Sequence, residues 1–184
     1  NPIELTRMIN TSVLINDRPS AFRYPRATSE IDLGDNNIDP IEIGKGIILE
    51  EGNNLAILNL GSRLQSCQEA IQLLKTYNVY PTLADARFAK PIDTNLLDQL
   101  LDNHQYLITI EEGSSGGFSS SILNYIHNER IKTTSTKINN IFFPDRFIDH
   151  QSSEDQYEEV GMDANSITRK IKQIYEDNLI DFQS

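Results

Sequence analysis

Tryptophan is absent from these 184 residues, and cysteine and methionine are scarce, at one and two. With Cys67 alone an internal disulfide is impossible, and the paired-cysteine spacing of a structural zinc site is missing too. Leu64, Ile71 and Leu74 flank Cys67 at helical spacing, so an inert core thiol is expected. Positive charge is also short: 16 Lys and Arg against 27 Asp and Glu leave a net charge of −11. A nucleic-acid surface needs a basic patch, so no nucleic-acid partner is expected. A local basic pocket for a phosphorylated metabolite is compatible with that balance, because neighbouring charges decide it. No run approaches about 18 consecutive apolar residues, and hence no membrane span is expected. A charged segment followed by an apolar one is missing at the N-terminus, and a cytoplasmic protein is the natural reading.

What is present is enough for a core: 38% of residues are apolar. Ile3, Met8, Ile9, Val13 and Leu14 predict an amphipathic helix from about residue 3 to residue 15. It reads as the tail of a larger fold. After the turn at Asn16-Asp17-Arg18-Pro19 a short strand is expected over residues 20–24, closed by Pro25. Residues 27–40 are polar and turn-rich, the composition of a linker. Beyond it, strands are expected at 55–60, 80–85, 106–110 and 137–143, with an added hairpin edge over 46–53. Between them, helical spacing runs from Gly61 to about Tyr77, through Leu96, Leu97, Leu100 and Leu101, and through Phe118, Ile122 and Ile126. Asp93 is the expected N-cap of the second of these, and Asp163 or Ser166 can start a final helix. Strands alternating with crossover helices predict an α/β fold, three layers around a mostly parallel sheet. The helix and strand ahead of it read as the end of a second, truncated α/β domain.

Three motifs bear on chemistry. Glu111-Glu-Gly-Ser-Ser-Gly-Gly-Phe118 ends a strand and opens a helix through a glycine-rich loop. Free amides there favour anions, but two carboxylates repel them and the P-loop lysine is missing, so tight packing or a subunit contact is the better reading. Asp85-Ala-Arg-Phe-Ala-Lys-Pro91 places an acid and Arg87 at a strand end, where open sheets bind ligands. An internal Asp85–Arg87 pair bracing the loop is the preferred reading. In Arg23-Tyr-Pro-Arg26, Arg26 lies just past a strand end, where a guanidinium can grip phosphate with two parallel hydrogen bonds. His104, His127 and His150 are scattered, with His104 and His127 late in helices and no nucleophile placed against His150. The acidic run from Glu154 to Glu159 reads as a solvated helix face.

These segments, in order, resemble the 1-deoxy-D-xylulose-5-phosphate synthases. The likeness is carried by Arg18-Pro-Ser-Ala-Phe-Arg-Tyr-Pro-Arg26, Glu42-Ile-Gly-Lys-Gly46, Leu58-Asn-Leu-Gly-Ser-Arg-Leu64, Asp85-Ala-Arg-Phe-Ala-Lys-Pro-Ile-Asp93, Glu111 to Phe118, and Pro144-Asp-Arg-Phe-Ile-Asp-His150. The resemblance implies residues 1–26 as the end of a pyrimidine-binding domain, 27–40 as a linker, and 41–184 as the transketolase C-terminal domain. It implies a homodimeric transferase using thiamine diphosphate and magnesium, both held by residues outside this chain. Its substrates would be pyruvate and D-glyceraldehyde 3-phosphate, joined with loss of carbon dioxide in isoprenoid precursor synthesis. By the same resemblance Arg26 would hold the phosphate of glyceraldehyde 3-phosphate. No catalytic, cofactor-binding or metal residue is expected in the chain, and the chain alone should be inactive. Ala27 departs from the glycine usual in the family, and alanine narrows φ there. The alternatives are the β subunit of a thiamine-dependent 2-oxo-acid dehydrogenase and a free-standing assembly module.

Overall fold

The computed structural model describes residues 1–25, 38–130 and 133–179. In chain order they form α1 (Pro2–Val13), β1 (Ile47–Glu50), β2 (Leu55–Leu60), α2 (Leu64–Lys75), β3 (Thr82–Asp85), α3 (Thr94–Asn103) and β4 (Tyr106–Glu111). These are followed by α4 (Phe118–Tyr125), which runs on into a π-helical turn (Ile126–Arg130), then β5 (Lys137–Ile141), α5 (Ser153–Glu159) and α6 (Ala164–Leu179). The strands lie in the order β1-β3-β2-β4-β5. β2 runs parallel to β3 and β4, and β5 runs parallel to β4. The expected three-layer, mostly parallel α/β architecture is therefore present.

Every residue of β2 and β4 is buried, as near-continuous apolar strands covered on both faces must be. Alternation divides β2 between two cores. Leu55 and Ile57 pack with Cys67, Ile71 and Leu74 of α2 and Ile167 and Ile171 of α6. Ala56 and Leu58 pack with Leu97 and Leu100 of α3 and Phe118 and Ile122 of α4. Each fully buried Leu or Ile contributes about 1.5–3 kcal/mol relative to exposure, which makes these two layers the main source of stability. Asp93 caps α3 as expected, accepting Leu96 N–H at 3.1 Å. Its other oxygen accepts Gly46 N–H at 3.0 Å and so ties the segment before β1 to the helix start.

Three expectations fail for identifiable reasons. Residues 20–24 form no strand; they are exposed, and none of the described strands offers them a ladder. The 46–53 edge is antiparallel but is not a hairpin. β1 pairs with β3, Ile47 opposite Asp85 and Ile48 opposite Ala84, because β3 holds the place beside β2. The last strand stops at Ile141 rather than 143, where Phe143 N–H turns to Gly113 O at 2.8 Å.

α1 is tied to this domain by polar groups, with Ile3, Leu5 and Met8 half-buried on the helix. Thr11 is its one buried residue. The Thr11 hydroxyl accepts Ile41 N–H at 2.7 Å and donates to Arg7 O at 2.8 Å. Asn10 Nδ2 donates to Ile38 O at 2.7 Å.

Candidate functional site

The chain crosses from one side of the sheet to the other between β2 and β4. The carboxyl ends of those strands thus flank the crevice where open α/β sheets take ligands. β4 delivers Glu111 and Glu112 to it, and the loop after β2 delivers Arg63. The crevice is filled by the protein's own groups. Glu111 is buried; its Oε2 accepts Phe118 N–H at 2.8 Å and its Oε1 accepts Ser119 N–H at 2.7 Å. Those are the first amides of α4, the donors an anionic ligand would otherwise use. A Cβ on Gly113 or Gly117 would run into the Glu111 carboxylate, and this explains the two glycines without any ligand.

Glu112 is spent as well. Arg63 Nε donates to its Oε1 at 2.9 Å, and Tyr157 OH donates to the same oxygen at 2.6 Å. The Arg63 guanidinium lies 3.3 Å from the centroid of the Tyr157 ring, joining cation–π attraction to the ion pair. Burial, reinforced by the Glu112 carboxylate, pushes the Tyr157 phenol up to about 12. The cluster clamps the loops after β2 and β4 to α5. Its charges are paired within the protein, and it offers no free cation.

The loop after β3 departs from its expected pairing. Arg87 N–H donates to Asp85 Oδ1 at 2.9 Å, but the guanidinium turns to Glu4 of α1, with Nη2 donating to Oε1 at 3.0 Å. The expected Asp85–Arg87 ion pair is therefore not formed, and only the backbone N–H of Arg87 bonds Asp85. Burial raises the Asp85 carboxyl above the usual range, against the bond from Arg87 N–H and the charge of Arg87.

The remaining candidates are structural. Burial pushes the Cys67 thiol up to about 12, so it is an inert core group. His104 ends α3 with Nδ1 2.9 Å from Leu100 O and Nε2 2.7 Å from Thr82 Oγ1. A carbonyl only accepts, so Nδ1 carries the hydrogen and Nε2 faces the Thr82 hydroxyl. His127 and His150 are exposed. The acidic run is the mostly exposed α5, with Glu159 paired to Arg146. No group of three His, Cys, Asp or Glu among the described residues could hold a metal ion. No described helix is long and apolar enough to cross a membrane. Arg26 and Ala27 lie outside the described residues.

The Glu111 cap, the Arg63–Tyr157 stack and the Glu4–Arg87 pair were not foreseen. A signal existed for the first: an acid followed by Gly113, Gly116 and Gly117 allows a carboxylate to fold back on the next helix.

Residues 44–167 match the family model of the transketolase C-terminal domain. Over 170 residues the chain is 40% identical to a probable 1-deoxy-D-xylulose-5-phosphate synthase 2, chloroplastic, of Oryza sativa subsp. japonica, covering 91% of the chain and 24% of that protein. It is 44% identical over 161 residues to 1-deoxy-D-xylulose-5-phosphate synthase 1, chloroplastic, of Cannabis sativa, covering 86% and 22%. The chain thus spans about a quarter of the length of these curated relatives. Among solved structures it resembles a split gene transketolase described as an inactive beta4 tetramer, with TM-score 0.61 and 24% identity over 73% of the chain and 43% of that one. It also resembles transketolase from Campylobacter jejuni, with TM-score 0.51 and 15% identity over 71% of the chain and 18% of that one. The two structural likenesses speak for the fold alone.

Proposed function

We propose, from the premise that the chain belongs to the transketolase C-terminal domain family, that it is the C-terminal part of a 1-deoxy-D-xylulose-5-phosphate synthase. The observation that carries this reading is 40–44% identity to such synthases over about nine-tenths of the chain. It also disfavours the 2-oxo-acid dehydrogenase alternative. In this reading the complete protein is a cytoplasmic homodimeric transferase. It condenses pyruvate with D-glyceraldehyde 3-phosphate, releases carbon dioxide, and uses thiamine diphosphate with magnesium.

The described residues do not fit that cofactor. The strand–glycine loop–helix junction suited to a diphosphate holds the Glu111 carboxylate, with Glu112 beside it. Thiamine diphosphate and magnesium belong to other parts of the enzyme, and no step of the reaction runs through the groups in this crevice. Residues 1–26 supply one substrate contact, Arg26 on the phosphate of glyceraldehyde 3-phosphate, and residues 41–184 serve structure and assembly.

In the complete enzyme, Arg26→Ala should raise KM for glyceraldehyde 3-phosphate about 100-fold, the loss of a two-point charged contact. KM for pyruvate should stay within about twofold. Equal effects on both would remove the phosphate role. The other reading left open by the sequence is a free-standing assembly module. Activity appearing only on mixing it with a second gene product would select that reading.

A further inference from the structure

Phe147 is 99% exposed, more than any other large apolar side chain among the described residues. The loop that carries it is nevertheless held in place. It leaves the sheet after β5, where Phe143 N–H donates to Gly113 O at 2.8 Å. It rejoins the domain at α5, where Tyr157 OH donates to Glu112 Oε1 at 2.6 Å. Between those points Arg146 Nη2 donates to Glu159 Oε1 at 2.6 Å, and Gln156 Nε2 donates to Asp149 O at 3.1 Å. Glu112 and Gly113 lie just past β4, so Phe147 stands at the carboxyl edge of the sheet. A loop presented in this way has little backbone freedom left to lose on docking.

We propose that Phe147 is an anchor, seated in the complete enzyme in an apolar pocket with a basic rim on the part of the synthase that precedes residue 1. The inference rests on the synthase reading above. Under it this chain is about a quarter of the protein, and the part that precedes it joins at Asn1. α1, which starts there, lies at the same edge of the sheet: Arg87, in the loop after β3, donates from Nη2 to Glu4 Oε1 at 3.0 Å. β3 and β5 are three strand spacings apart, about 14 Å. A domain of about 100 residues already has a radius of gyration of about 13 Å, so the preceding part is wide enough to cover Phe147. Asp145 and Asp149 flank the phenylalanine, and α5 beside the loop adds exposed Glu154, Asp155 and Glu158. Such a surround is matched by Lys or Arg at the rim of the pocket. A second copy of this chain, at a net charge of −11, would instead bring acid against acid. One aromatic side chain in a dry pocket, ringed by polar contacts, is the usual way a few residues carry an interface.

The test uses the complete enzyme with the photo-reactive p-benzoylphenylalanine in place of Phe147. On irradiation the cross-linked peptides, read by mass spectrometry, should come from the sequence that precedes residue 1. Cross-links to this chain's own residues in a second copy, or no cross-link at all, overturn the proposal. Amide hydrogen exchange gives a second reading that does not depend on the bulky probe. Phe147→Ser should speed exchange about tenfold in a peptide of the preceding part, while β2 and β4 keep the parent's rates. Phe147→Leu should retain most of the protection. Unchanged exchange in Phe147→Ser, or a rise that includes β2 and β4, overturns the anchor. Product formation by the parent enzyme is measured alongside. A parent that forms product without the cross-link removes the anchor alone, and one that forms no product removes the synthase reading.

Discussion

Between β2 and α2 the groups that meet are Ile57, Cys67, Ile71 and Leu74, all with 0% exposure. Between α1 and its seat the bonded groups are Glu4, Arg7, Thr11 and Arg87; Ile3, Leu5 and Met8 are only half-buried, and Val13 and Leu14 remain 70% and 65% exposed. Apolar packing supplies energy without insisting on one angle. Polar pairing supplies little net energy but defines geometry. The α/β domain is thus stabilised, and α1 is oriented. The crevice at the carboxyl edge belongs with the domain, since its charges are paired internally.

The comparison breaks if both regions respond alike to loss of a side chain. Leu100→Ala removes a fully buried group from the α3 layer and should cost about 3 kcal/mol in denaturant unfolding. Val13→Ala in α1 should change stability by less than about 0.5 kcal/mol. Similar costs would mean that α1 is part of the same apolar core.

Glu111→Ala tests whether the crevice is self-filled. It strands the amides of Phe118 and Ser119 and should cost about 2 kcal/mol. Millimolar formate should recover part of the loss in the variant and none in the parent protein. A variant as stable as the parent would show that the cap contributes nothing.

The smallest effect sharpens the polar side. Burial works to raise the Asp163 carboxyl, but the Ser166 side chain and the amides of Ser166 and Asn165 outweigh it and hold the group below the usual carboxylate range. Such a group binds its proton less readily in the folded state. It stabilises the fold above pH about 4 and loses that contribution as pH falls through its folded value. Asp163→Asn should flatten the stability profile below pH about 4 and leave its shape unchanged near neutrality. An unchanged acid slope would assign it to other carboxylates.

The elements of the domain were legible because their signals are local. The apolar run at 55–60, the helical spacing around Cys67 and the Asp93 cap each report on neighbours within a few residues. The misses are long-range. Nothing near Ile47 says that Asp85 lies opposite it, or that Arg87 passes Asp85 to reach Glu4. Residues 20–24 have strand-like composition but no described strand beside them, and composition cannot supply a ladder. Within the crevice, chemistry alone argued against a phosphate loop at Glu111. Only the fold shows that the carboxylate itself takes the anion's place.

The most direct measurement compares two purified proteins for 1-deoxy-D-xylulose 5-phosphate formation from pyruvate and glyceraldehyde 3-phosphate, with thiamine diphosphate and magnesium present. One is this 184-residue chain and the other is the complete product of its gene. The complete protein should form product and release carbon dioxide, and the chain alone should do neither. Turnover by the chain alone, or none by the complete protein, would contradict the assignment.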